Sequence, residues 1–205
     1  PLFKGESGDR HLGDSAHSEQ AAYEISQILW MGDLVPETVV RESEGEIGSC
    51  QRYIEDAKNA NKFSQLTRYD GDENIARIAA FDLLMINTDR HSENWMLIPD
   101  GTIYLIDHGR TLRAVPKEKE LPYYANFMVE SDRRGLDKEL GKIQNEWRDK
   151  WPVISANLKK NGISEDVIAE SRKRFDDIIT VKTFAELRDK YVLQGEVPED
   201  NHFSS

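Results

Sequence analysis

Residues 82–109 read DLLMINTDRHSENWMLIPDGTIYLIDHG. The stretch completes an apolar segment over residues 73–86 (ENIARIAAFDLLMI), where Ile75, Ile78, Ala79, Leu83 and Ile86 recur at helical spacing. Its other positions are also largely apolar, which predicts a helix sunk into the core. A polar loop, NTDRHSEN, follows, then a strand over Trp95–Ile98, a tight turn at Pro99–Asp100–Gly101 and a second strand over Thr102–Asp107. Such a hairpin brings Asn94 and Asp107 to the same end of two paired strands, with Asp89 on the loop just before them. Phosphoryl transfer needs one group that orients the attacking hydroxyl and accepts its proton, and oxygen ligands for Mg²⁺ on the nucleotide phosphates. Asp89 suits the first role. Asn94 and Asp107, both hard oxygen donors, suit the second. Gly109 is expected to let the backbone turn sharply beside them. Taken singly, each polar residue reads as a turn former or helix cap. The order D-x-x-x-x-N, hairpin, D-x-G after a buried helix is what points to chemistry.

The residues upstream supply matching pieces. Lys4 follows the apolar pair Leu2–Phe3, as a strand lysine does when it reaches nucleotide phosphates. An amphipathic helix is predicted over Ser18–Trp30, stopped by Gly32 and Asp33. Glu19 near its start is the first choice to pair with the lysine, and Glu24 the fallback. Strands over Val35–Arg41 and Ile47–Ile54, joined by the ESEGE turn, form a hairpin. Its outgoing end, Gln51–Arg52–Tyr53–Ile54, is where an inter-lobe hinge would offer backbone hydrogen bonds to adenine. The composition turns polar after Glu55, which divides the chain into an N-terminal lobe, 1–55, and a C-terminal lobe, 56–205. Downstream, helices are expected over 136–160 and 164–179, with a further one after the capping box Thr183–Glu186.

The totals narrow the function classes. Lys and Arg number 27 against 38 Asp and Glu, a net charge of −11. That balance disfavours nucleic-acid binding, which needs a basic surface, and default attraction to anionic membrane. A single cysteine, Cys50, excludes an intramolecular disulfide and a cysteine zinc cage and fits a reducing cytoplasm. No apolar run approaches the roughly 20 residues that span a bilayer.

The stretch FDLLMINTDRHSENWMLIPDGTIYLIDHG resembles the catalytic and metal-binding segments of the phosphoinositide 3-/4-kinase-like superfamily, particularly its type II phosphatidylinositol 4-kinase-like and small bacterial members. FKGESGDR, SEQAAYEISQILWMGDLVPETVVRE and GSCQRYIE resemble the same family's lysine strand, glutamate helix and hinge, so the likeness covers roughly residues 2–112. It implies an α+β, bilobal protein-kinase-like fold using ATP with Mg²⁺ or Mn²⁺. Carried over by position, it implies Lys4 and Glu19 on the phosphates, Asp89 as catalytic aspartate, and Asn94 and Asp107 as metal ligands. Arg90 and His91 complete the DRH element. The family's nucleotide-covering hairpin precedes the lysine, and only three residues do here, so the sequence is expected to lack it.

The acceptor is a hydroxyl compound; a protein or small alcohol is favoured over a phosphoinositide by the acidic charge. Residues 116–134 (PKEKELPYYANFMVESDRR) lie where an activation or substrate loop belongs, and Tyr123, Tyr124 and Phe127 are expected exposed there, able to dock a protein. Two other classes compete. One is a nucleotide-binding pseudokinase or regulatory module. The other is a metal-dependent phosphohydrolase using His91 and His108 with Asp89 and Asp107.

Overall fold

The computed structural model describes residues 2–5, 15–59, 72–87, 89–91, 93–113 and 125–191. The chain is α+β, with the bilobal arrangement of a kinase-like fold. The N-terminal part holds β1 (Leu2–Gly5), α1 (Ser15–Ile28), β2 (Thr38–Ser43) and β3 (Glu46–Gln51). β3 is the middle strand, antiparallel to both neighbours, in the order β1-β3-β2. Lys4 pairs with Ser49, which in turn faces Val40. The hairpin turns at Glu44–Gly45, both in the left-handed region with φ 54° and 82°. That is the geometry a two-residue turn needs to match strand twist.

A second antiparallel sheet, in the order β4-β5-β6, comprises β4 (Lys58–Asn59), β5 (Trp95–Leu97) and β6 (Ile103–Leu105). The polar composition after Glu55 gave no signal for β4. The turn between β5 and β6 follows the expected chemistry. Gly101, at φ 94°, donates its N–H to the Ile98 carbonyl (3.0 Å), and Asp100 accepts from the Thr102 N–H (2.8 Å). The second sheet is tied by its backbone to the connection between α1 and β2, because Leu105 N–H donates to the Leu34 carbonyl (2.6 Å).

Helix α2 (Asp72–Leu84) is the core of the larger lobe. Ile75, Ala76, Ile78, Ala79, Ala80, Phe81, Leu83 and Leu84 are all buried, on every face of the helix. Each large apolar side chain removed from water there contributes roughly 1.5–3 kcal/mol. Around α2 pack α3 (Ala125–Arg133), α4 (Asp137–Trp147) and α6 (Glu165–Ile178). Helix α5 (Trp151–Lys160) lies on α1 and α6, and α7 (Phe184–Tyr191) on α3. Among the described residues no helix is long and apolar enough to cross a membrane.

Three sequence expectations change here. The single helix expected over 136–160 is two, because Pro152 occupies the first turn of α5 and the chain breaks at Arg148–Lys150. The segment 116–134 is not all loop: Ala125–Arg133 is helical, and Phe127 is buried against Trp95, edge to face at 6.4 Å. Phe127 is therefore core, not a docking residue; Tyr123 and Tyr124 lie outside the described residues. Finally, α1 spans Ser15–Ile28 where Ser18–Trp30 was expected. Trp30 takes the left-handed turn (φ 56°), with Met31 N–H bonded to the Ser26 carbonyl (2.9 Å) and Trp30 N–H to that of Gln27 (3.2 Å). This is a Schellman ending.

Candidate active site

Helix α2 ends in the same way just before the loop that carries Asp89. Asn87 N–H reaches back to the Asp82 carbonyl (2.9 Å) and Ile86 N–H to that of Leu83 (3.2 Å), with Ile86 left-handed at φ 53°. A β-branched residue is unfavourable in that conformation, so surrounding packing holds the turn. Ile86 is buried, and Leu112 N–H, returning from beyond the second strand, donates to the Met85 carbonyl (2.8 Å).

The loop is knitted by its own polar groups. Asp89 N–H donates to Asn87 Oδ1 (3.0 Å), and His91 N–H to the Asp89 carbonyl (2.9 Å). Asn94 is buried. Its Nδ2 donates to the same Asp89 carbonyl (2.6 Å), and its own carbonyl accepts from Ile106 N–H (3.0 Å). Asn94 and Asp107 thus stand side by side at one end of β5–β6, next to Asp89. Because the Asn94 amide nitrogen is committed to the loop, its oxygen is the end left for a cation. Together with the Asp107 carboxylate it would offer oxygen donors only, the chemistry a hard divalent ion such as Mg²⁺ takes. The left-handed residue in this turn is Asp107 itself (φ 57°), not Gly109 as expected.

Beneath the loop lies a buried ion pair whose acidic member, Asp82, the sequence reading missed. Arg90 is 1% exposed, and Asp82 grips it with both oxygens, Oδ2 at 3.0 Å and Oδ1 at 3.1 Å. Arg90 Nη1 donates to the carbonyls of Asn94 and Ile106, the latter at 2.9 Å. Its Nη2 lies 2.8 Å from His108 Nε2. A guanidinium cannot accept, so that nitrogen of His108 is the acceptor and Nδ1 carries the hydrogen. The contact occupies Nε2 of His108 with Arg90. An aspartate inside an apolar helix is the one signal that could have flagged Asp82. Arg90 is a buried strut and His91 a half-exposed rim residue, its Nε2 3.9 Å from Asp89 Oδ1. The exposed Arg110 brings Nη1 to 3.4 Å from Asp89 Oδ2.

A pocket opens beside this loop, lined by Glu19, Ser49, Gln51, Arg52, Tyr53, Ile54, Met96 and Ile106. Five of these were expected at a nucleotide site: Glu19, Gln51, Arg52, Tyr53 and Ile54. Ser49, Met96 and Ile106 were not, although Ile106 directly precedes Asp107. Glu19 is 4% exposed, with Oε2 4.0 Å from His108 Nδ1. Glu24, the fallback partner for the lysine, instead bonds to α5, away from the pocket. Lys4 enters the arrangement through its backbone, as the cross-strand partner of the pocket residue Ser49.

Fold and site together describe a protein-kinase-like phosphotransferase scaffold. Residues 16–133 match the family described as phosphatidylinositol 3- and 4-kinase, and the chain belongs to that family. It is similar to Protein Rv2133c of Mycobacterium tuberculosis, 28% identical over 155 residues, covering 57% of this chain and 55% of that protein. The chain thus spans about half the length of that curated relative. In fold it is similar to the Helicobacter pylori proinflammatory kinase CtkA. There the TM-score is 0.59 at 14% identity, covering 95% of this chain and 89% of that one.

Proposed function

We propose that the chain is an ATP- and Mg²⁺-dependent kinase that transfers the γ-phosphoryl group to a hydroxyl acceptor. The observation that carries this reading is one of adjacency. Ile106 lines the pocket and Asp107 follows it directly, so an adenine in the pocket sets its phosphates toward Asn94, Asp107 and Asp89. The extended Arg52–Ile54 segment offers backbone groups to the base edge, while Met96 and Ile106 present apolar surface to its face. Lys4 and Glu19 serve the phosphates from the N-terminal sheet and α1.

Asn94 and Asp107 would hold the divalent ion, which when bound neutralises charge on the β- and γ-phosphates. Asp89, held by Asn87, orients the acceptor hydroxyl and takes its proton as the new oxygen–phosphorus bond forms. The bond from the γ-phosphorus to the bridging oxygen breaks, and ADP leaves. Arg90 has no direct part; it fixes the carbonyls behind both metal-holding positions. His91 and Arg110 sit at the rim, where they meet the acceptor or the transferred group. A protein or small alcohol is the favoured acceptor.

The test incubates the protein with γ-labelled ATP and Mg²⁺ or Mn²⁺, with protein lysate, small alcohols and phosphoinositide vesicles as acceptors. Asp89→Ala and Asp107→Ala run alongside. Label transfer lost in both variants supports the kinase. Nucleotide binding without transfer to any acceptor would favour a regulatory module. Metal-dependent phosphoester hydrolysis with no need for nucleotide would overturn the reading.

A further inference from the structure

Glu24 is the best-bonded carboxylate among the described residues near the cleft, yet it lies outside the pocket. It accepts hydrogen bonds from Asn157 Nδ2 (2.6 Å), Lys160 Nζ (2.8 Å) and Asn161 Nδ2 (2.9 Å), all on or at the end of α5. A fourth comes from Gln20 Nε2 (3.0 Å) within α1. Gln20 in turn accepts the Val40 N–H of β2 (2.7 Å), so the same side-chain chain reaches the N-terminal sheet. A second tie lies at the end of α1, where Lys150 Nζ sits 3.7 Å over the ring of Trp30. Trp30 holds the left-handed turn although it is 63% exposed.

These contacts are not equal. Lys160 is 63% exposed, and such an ion pair contributes little. The two asparagine amides donating to a charged oxygen are the stronger bonds, and Asn161 is buried and further fixed to the Asn157 carbonyl (3.0 Å). Burial alone would raise the Glu24 carboxyl, but the bonds from Lys160, Asn161, Asn157 and Gln20 outweigh it and hold the group at about 2. It therefore stays ionised throughout the physiological range.

We propose that Glu24 is a positioning residue: by clamping α1 to α5 it sets where Glu19 stands at the phosphate end of the pocket, and thereby the rate of transfer. The inference rests on reading the pocket as the ATP site. Glu19 and Glu24 project from different faces of one rigid helix, so fixing the second face against the larger lobe fixes the first against the metal loop. A misplacement of about 1 Å at a phosphate-handling group can cost about 10²-fold in rate. On this view α1 is held in place by the fold itself and needs no partner to bring it in.

The test uses the whole chain as wild type, Glu24→Ala, the double variant Asn157→Ala/Asn161→Ala, and Glu24→Gln. Gln keeps the length and one acceptor oxygen. Steady-state transfer from ATP, calorimetric nucleotide stoichiometry and thermal melts are recorded for each. The clamp predicts kcat down at least about 10-fold in Glu24→Ala and in the double variant. One nucleotide should still bind per chain, and Glu24→Gln, which keeps one acceptor oxygen but turns a donor toward two of the four donors, should fall between wild type and Glu24→Ala. Two outcomes overturn it: an unchanged kcat in a folded variant, or a kcat that falls only in proportion to binding stoichiometry. Should Glu24→Ala not fold, the double variant decides. A wild type that neither binds ATP nor transfers its phosphate removes the ATP-site reading, and this proposal with it. An active wild type beside an equally active Glu24→Ala removes the clamp alone.

Discussion

At the scale of single residues, Arg90 and Asp89 illustrate two ways of serving one site. Arg90 is wholly internal, forked onto Asp82 and bonded to the carbonyls of Asn94 and Ile106. A lysine there keeps the charge but cannot fork, and an Asp82→Ala change leaves the guanidinium buried without its counter-ion. Removing one partner of a buried pair costs about 3–5 kcal/mol, so Asp82→Ala should lower unfolding free energy by that amount in urea titration. Asp89 makes no such structural contribution through its carboxylate. Asp89→Asn should leave the melting temperature within a few degrees and reduce phosphate transfer at least about 10²-fold. Asp89, Asn94 and Asp107 were legible because their spacing and the Pro99–Asp100–Gly101 turn settle their proximity. Asp82 was not, since its partner lies beyond a loop and only the folded chain brings the two together.

At the scale of elements, the end of α2 does the most to place the site. Ile86 in the left-handed turn sends the chain into the loop, and the β5–β6 hairpin returns it beside the same helix end. Trp95, adjacent to Asn94, anchors that hairpin on Phe127 of α3. Trp95→Ala should cost about 3–5 kcal/mol, read from chemical denaturation. It should also weaken metal-dependent nucleotide binding, because Asn94 loses its anchored neighbour. Helix α3 was hard to see because its buried Phe127 and Met128 are surrounded by charged and tyrosine-rich sequence. The α4–α5 break was hard for the opposite reason: apolar periodicity continues through Trp147, Trp151 and Ile154, and only Pro152 marks the division.

At the scale of the whole molecule, the two parts of the chain are tied through α1 and α5, and that tie has a pH signature. The Glu24 carboxyl falls from its ordinary 4.5 to about 2 on folding. The unfolded chain therefore binds the proton more readily, and the stabilisation is present above about pH 4.5 and lost as pH falls toward 2. The full shift corresponds to about 3 kcal/mol, and solvent screening of this partly exposed group makes the realised contribution smaller. Urea midpoints measured from pH 6 down to pH 2 should drop for wild type, and that part of the drop should be missing in Glu24→Gln. The fold class and the order of strand, helix, hairpin, buried helix and second hairpin were all readable from residues 2–109. What tied α1 to α5 was not, because Glu24 and Asn161 are 137 positions apart and each alone reads as a solvated polar residue.

The most direct measurement is a calorimetric titration of the full chain with ATP, with and without Mg²⁺, repeated on Asp107→Asn. ATP and metal handling at this cleft predicts one nucleotide bound per chain, markedly tighter with Mg²⁺, and that enhancement lost in the variant. No binding at millimolar ATP, or binding indifferent to both Mg²⁺ and Asp107, would contradict it.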